Sequence, residues 1–159
     1  GYKRKELWTK KGWFWKNKAN IIKPLNWVFL DKKLSIYTYR GLEKPIENKP
    51  VTHISLYELE AFAKWQDLRI PHEIEWEIAS KKLTNTNLVW EWCRNIFYPY
   101  KGFTAFPYKE YSKPWFNSNY YTLRGSSIYS EKEIKRNTFR NFYEANTRHI
   151  FSGGRLSSN

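Results

Sequence analysis

Between Ser55 and Gln66 the apolar positions Leu59, Phe62 and Ala63 recur at helical spacing. Ser55 with Glu58 three residues on makes a capping box, so the pattern predicts a helix over 55–66. A second helix is predicted over 72–80. Pro71 suits its first turn, Ile74 and Ile78 are its expected buried positions, Trp76 stands at its flank, and His72 is a poorer cap than Ser or Thr. Upstream, Val28 to Tyr39 alternates in short runs, notably Leu34-Ser35-Ile36-Tyr37, which suits a strand pair with Asp31-Lys32-Lys33 as its turn. Gly41 to Pro50, with Pro45 and Pro50, reads as a loop. From Gly1 to Trp27 the rings of Trp8, Trp13, Phe14, Trp15 and Trp27 are too irregularly spaced for either period, which predicts coil wrapped on the core.

Polar residues inside apolar sequence carry the next inference. From Arg136 to Arg155, the residues Arg140, Arg148 and Arg155 alternate with Phe139, Phe142, Tyr143, Ile150 and Phe151. Their guanidinium groups are expected to lie against ring faces or to pair with carboxylates inside the domain. Glu77 after Trp76, and Glu91 between Trp90 and Trp92, are the expected buried partners, in structural rather than catalytic roles. Gly153-Gly154 reads as a tight turn. His72, Glu73 and Glu75 read as a helix start with solvated acids, because no second histidine follows one turn on to make a zinc helix.

The 159 residues are 41% hydrophobic, which fits one domain over 1–159 with a real core. Nine Trp, 12 Tyr and 10 Phe favour irregular packing and supply rings for a binding surface. The formal charge of +13 raises nucleic acid as a partner, but the lysines are scattered and no reading motif accompanies them, so a solvated lysine surface is preferred. Cys93 is the single cysteine, read as a buried or half-buried thiol; this suits a reducing compartment. With no bilayer-length apolar run and no signal-peptide pattern, a cytoplasmic protein without membrane contact is expected. A chain that starts at Gly1 and contains no methionine is expected to be truncated at its N-terminus.

Three stretches resemble a known family. They are PVTHISLYELEAFAKWQDLRIPHEIEWEIAS (Pro50 to Ser80), LVWEWCRNIFYPYKGF (Leu88 to Phe103) and YTLRGSSIYSEKEIKRNTFRNFYEANTRHIFSGGRLS (Tyr121 to Ser157), with GYKRKELWTKKGWFW at the start also similar. In order and wording they resemble the formylglycine-generating-enzyme (sulfatase-modifying factor) type domain, in the version forming the C-terminal half of ergothioneine-pathway iron sulfoxide synthases. The resemblance implies an α+β, C-type-lectin-like fold with two short helices, short strands and much coil. It also implies the substrate-binding portion of an oxygen-dependent enzyme that joins a cysteine-type thiol to trimethylhistidine. In that family Fe(II) is held by an HxxxHxE motif on an N-terminal four-helix domain. His53, His72 and His149 lie in three different motifs, so no metal site is expected in this chain, and the iron is expected from a helical partner domain in cis or in trans.

The resemblance also marks site residues. Tyr100, within YPYKGF, matches the tyrosine thought to donate a proton or electron, with Tyr98 as runner-up. Arg140-Asn141-Phe142-Tyr143 matches the segment that helps to hold trimethylhistidine. Phe142 and Tyr143 place the chain with the aromatic-pair branch, in which ring faces attract a quaternary ammonium that cannot donate ordinary hydrogen bonds. The family's aspartate is absent there, leaving cysteine or γ-glutamylcysteine open as sulfur donor. LTNTNL (Leu83 to Leu88) departs from the family, with Asn87-Leu88 where Gly-Asn is usual, which puts any calcium site near this loop in doubt. Leu123-Arg124-Gly125-Ser126 matches an RGGS element, read as a strand meeting a turn. The formylglycine-generating enzyme itself needs paired cysteines and fits less well. Two other readings remain: a non-catalytic C-type-lectin-like binding module, and nucleic-acid binding by the basic, aromatic surface.

Overall fold

The short alternating run after Trp27 pairs as its pattern predicts. In the computed structural model, which describes residues 1–158, β1 (Trp27–Leu30) and β2 (Lys33–Thr38) form an antiparallel hairpin. Asp31 and Lys32 turn it with φ of 49° and 64°, the left-handed pair a two-residue hairpin requires. The segment read as a loop from Gly41 instead opens with a third strand, β3 (Gly41–Glu43), paired with β2.

The second sheet has strand order β6-β5-β4-β7, from β4 (Trp90–Ile96), β5 (Tyr120–Arg124), β6 (Asn141–Glu144) and β7 (Ser152–Gly153). Only β7 runs parallel to its neighbour. Helix α2 (Leu56–Trp65) has the expected capping box: Ser55 Oγ accepts from Glu58 N at 3.2 Å, and Glu58 Oε2 accepts from Ser55 N at 2.8 Å. Leu56, Leu59 and Ala63 of α2 meet Trp92 and Leu123 of the sheet, with Ile54, Ile70 and Ala145, in the main apolar core.

Helix α3 (Glu73–Ala79) lies where expected but is rotated relative to the predicted face. Its buried residues are Glu73 and Trp76, whereas Ile74 and Ile78 are 47% and 75% exposed. His72 caps it effectively, Nδ1 accepting from Ile74 N while Glu75 Oε2 accepts from His72 N at 2.6 Å.

The N-terminal segment is not all coil. Thr9 Oγ1 accepts from Gly12 N and caps α1 (Lys10–Lys18). Its apolar face escaped the period because the stem of Lys16 is buried, its ammonium 4.5 Å from the Trp13 ring, while Phe14 faces solvent. Trp13 and Trp15 pack with Leu7, Trp8, Ala61 and Tyr57. Gly153 and Gly154 are required by close approach rather than by a turn. A Cβ on Gly153 would stand 2.7 Å from Val51 O, and one on Gly154 would stand 2.2 Å from Leu59 Cδ2.

Candidate functional site

Alternation along the central strands gives the second sheet two unlike faces. Trp92, Tyr121, Leu123 and Tyr143 turn to the apolar core under α2. Glu91, Asn95, Thr122 and Arg124 turn to α3, where Glu73, Trp76 and Glu77 occupy one helical face at i, i+3 and i+4.

Glu73, fully buried, is the hub of that side. Arg140 grips it with two hydrogen bonds, Nε to Oε2 at 2.7 Å and Nη2 to Oε1 at 2.6 Å. Asn95 Nδ2 donates to Oε1 at 2.9 Å, and Asn95 Oδ1 accepts from the Glu73 backbone N–H. Arg124, also fully buried, places Nε 3.4 Å from Glu73 Oε2, donates from Nη2 to Glu77, and donates from Nη1 to the carbonyls of Asn137 and Phe139. Two carboxylates thus face two guanidinium groups, so the buried charge is compensated.

Glu73 is therefore no solvated acid. The expected partner of Glu91 is found, since Arg155 binds it through Nε and Nη2 and Trp76 Nε1 also donates to it. Glu77, however, pairs with Arg124, outside the C-terminal arginine stretch. Arg148 takes Glu58 at the other side of the sheet, with the Tyr2 hydroxyl donating to the same carboxylate.

Tyr100 stands over this network. Its hydroxyl oxygen accepts from Arg124 Nη2 at 3.2 Å and donates toward Glu73 Oε2 at 3.4 Å. The Arg140 guanidinium carbon is 4.3 Å from the Tyr100 ring centre, 4.4 Å from Phe97 and 5.4 Å from Tyr98. Burial, then the Glu73 charge, pushes the Tyr100 phenol above its ordinary range, with Arg140 and Arg124 acting in the opposite sense. Tyr98 is also raised, mainly by burial, and packs against His72 and the edge of Tyr100.

Phe142 lies on this side of the sheet too, stacked on Phe97 at 4.3 Å and 17° and flanked by Trp115 and Tyr120. Tyr143, next along β6, turns the other way into the α2 core and meets the edge of His149. The structure thus brings Tyr100, Arg140 and Phe142 together and leaves Tyr143 behind the sheet. Asn141 Oδ1 accepts from Phe142 N at 2.9 Å, a local backbone contact.

Glu73 and Arg124 are the two residues that sequence reasoning missed as parts of this site. The signal was the shared helical face of Glu73, Trp76 and Glu77, together with Arg124 at the end of an alternating strand.

The described residues do not fit an iron site. His53 Nδ1 lies 3.2 Å from Arg148 O, His72 is a helix cap, and His149 packs on Tyr143. Among the described residues no three His, Cys, Asp or Glu side chains converge to hold a metal. Cys93 is buried as expected, and burial raises its thiol far above the usual range, so it is no thiolate nucleophile. Asn87 takes the left-handed conformation, φ 63°, and accepts a hydrogen bond from Ser126 Oγ at 2.6 Å. A cavity of about 500 Å³ opens between residues 1–8 and α2, lined by Trp8, Trp27, Phe62 and Trp65. It is bordered by Tyr2 and Glu58 but contains none of Tyr100, Arg140, Asn141, Phe142 and Tyr143.

Residues 32–88 match the family profile described as Sulfatase-modifying factor enzyme 1-like domain. The chain is 29% identical to a hercynine oxygenase of Mycobacterium tuberculosis over 203 aligned positions, which take in 99% of this chain and 47% of that protein. It is 28% identical to a hercynine oxygenase of Mycolicibacterium smegmatis, over 99% of this chain and 48% of that one, and 27% identical to one from Mycolicibacterium thermoresistibile. The resemblance read from the sequence is borne out, as is the mixed helix-and-sheet, C-type-lectin-like fold it implied. The chain spans about half the length of the curated relatives it matches. No helix among the described residues is long and apolar enough to cross a membrane.

Proposed function

We propose that this sulfatase-modifying-factor-type domain is the substrate-binding half of an ergothioneine-pathway oxygenase, which joins a cysteine-type thiol to trimethylhistidine with molecular oxygen. The observation that carries the reading is the alignment with three hercynine oxygenases along 99% of the chain. The meeting of Tyr100 and Phe142 on one face supports it. Since the chain's own side chains do not fit iron, Fe(II) would be held by a helical partner domain in cis or in trans, and would supply oxygen activation there.

The residues of this chain bind and orient. Tyr100, whose phenol keeps its proton well above neutral pH, is the proton-donor candidate. Phe142 offers ring surface to the trimethylammonium group, worth roughly 0.5–2 kcal/mol. Its face toward Phe97 is closed by stacking, so the cation would meet the part of the ring that Trp115 and Tyr120 leave open.

The test is to combine the protein with an iron-loaded helical domain carrying HxxxHxE. Trimethylhistidine, cysteine or γ-glutamylcysteine, and oxygen are supplied, and sulfoxide is followed by mass spectrometry. Sulfoxide formation that falls about 10²-fold or more in Tyr100→Phe is the expected result. Absence of sulfoxide with either thiol overturns the reading. If trimethylhistidine is nonetheless retained by the domain, the non-catalytic binding-module reading replaces it.

A further inference from the structure

The charge quartet beneath Tyr100 has more order than packing alone demands. Glu73 and Arg124 are fully buried, Arg140 is nearly so, and Glu77 is the only member with substantial exposure. The Tyr100 ring already meets the edge of Tyr98 and the Arg140 guanidinium, yet its oxygen also sits 3.2 Å from a guanidinium donor and 3.4 Å from a carboxylate acceptor. The Arg124 N–H occupies a lone pair of the oxygen. That leaves the O–H directed at Glu73, whose Oε1 is already saturated by Arg140, Asn95 and Thr122.

Resting on the reading of Tyr100 as the donor, we propose that Glu73 and Arg124 are positioning residues that fix the hydroxyl of Tyr100, the carboxylate accepting a hydrogen bond from its O–H and the guanidinium donating one to its oxygen. Glu77 acts through Arg124, by sharing the charge of that guanidinium. The groups facing the phenol are thus Glu73 and Glu77 from α3, Arg124 from β5, Arg140 ahead of β6, and the neighbouring phenol of Tyr98. Removing a carboxylate leaves an excess of positive charge beside Tyr100, which favours the tyrosinate.

The experiment is a pH titration by fluorine NMR of the protein labelled with difluorotyrosine. Ring fluorination acidifies the phenol and brings the titration into a range where the fold holds. Tyr100 is assigned by the signal lost in Tyr100→Phe. In Glu73→Gln the Tyr100 midpoint is expected to fall by about one pH unit, a tenfold change, while those of exposed Tyr108 and Tyr111 stay put. In Glu77→Gln, whose carboxylate is partly solvated and better able to be lost without unfolding, it is expected to fall by a smaller amount. Circular dichroism checks the fold of both. An unmoved Tyr100 midpoint in the folded variants overturns the proposal, and if Glu73→Gln does not fold, Glu77→Gln decides by the same criterion. No turnover is measured, so a displaced midpoint with no sulfoxide formation would overturn the functional reading alone.

Discussion

The two faces of the four-stranded sheet are built on opposite principles. Under α2, Trp92, Leu123 and Tyr143 pack with Leu56, Leu59 and Ile70 as an apolar core, with the ion pair of Arg148 and Glu58 beside it. Under α3, the next residue along each strand meets charge: Glu91, Arg124, and Phe142 beside the Arg140 and Glu73 pair. Apolar burial is forgiving of geometry, because it scales with area removed from water. Buried ion pairs are not, because each charge depends on a placed partner. The side that places Tyr100 and Phe142 is thus the one whose geometry is most tightly specified. The α2 side supplies the stability that such a site requires.

The largest expected effect comes from unbalancing the charged side. Arg124→Ala leaves Glu73 and Glu77 facing Arg140 alone, and should lower unfolding stability by about 3–5 kcal/mol in urea titrations. The deficit should narrow as the pH is lowered through the carboxylate range, because protonation relieves the uncompensated charge. Leu123→Ala, one residue earlier on β5, opens a cavity in the apolar side and should cost about 2–5 kcal/mol. Its deficit should not narrow with acid. If both variants respond to pH alike, the distinction between the faces fails.

Much of this organisation was legible in the chain. Ser55 with Glu58 gave one helix to within a residue at each end, and Asp31-Lys32-Lys33 gave the hairpin turn with one residue too many, since Lys33 already opens β2. The arginines of the C-terminal stretch do pair inside, Arg140 with Glu73, Arg148 with Glu58 and Arg155 with Glu91. What was not legible follows from treating charge as a mark of exposure. Reading Ile74 and Ile78 as buried turned α3 by about one residue, roughly 100°, and put Glu73 in solvent. The aliphatic stem of Lys16 completes the buried face of α1, which a binary pattern scores as polar. Tyr143 was paired with Phe142 as a neighbour in sequence, although strand alternation sends adjacent side chains to opposite faces.

A smaller effect tests how the C-terminus closes over the α2 side. Gly153→Ala places a Cβ against the backbone oxygen of Val51 and the side chain of Val89, neither of which can swing away freely. A loss of about 1–3 kcal/mol is expected from overpacking, read as a lower midpoint in thermal unfolding. Had the Gly-Gly pair served as a turn, its φ rather than its surroundings would set the cost. Gly153 is not in the left-handed region, so tolerance of alanine there would show that β7 shifts at little cost.

The smallest effect lies at the solvent edge of the charged side, where Glu75 separates surface electrostatics from the buried quartet. Its carboxylate is held down at about 2, first by the hydrogen bond from Arg69 and then by the His72 backbone N–H it caps. A folded-state value below the ordinary 4.5 means that the contribution is complete above the normal carboxylate range and is lost as the pH falls from about 4.5 towards 2. Because the group is 41% exposed, Glu75→Gln should cost no more than about 1 kcal/mol at neutral pH. The gap to the parent protein should close in acid and shrink in high salt. Equal unfolding midpoints at pH 7 would place the cap of α3 in His72 alone, whereas a loss as large as that of Arg124→Ala would mean that the edge and the buried quartet act as one network.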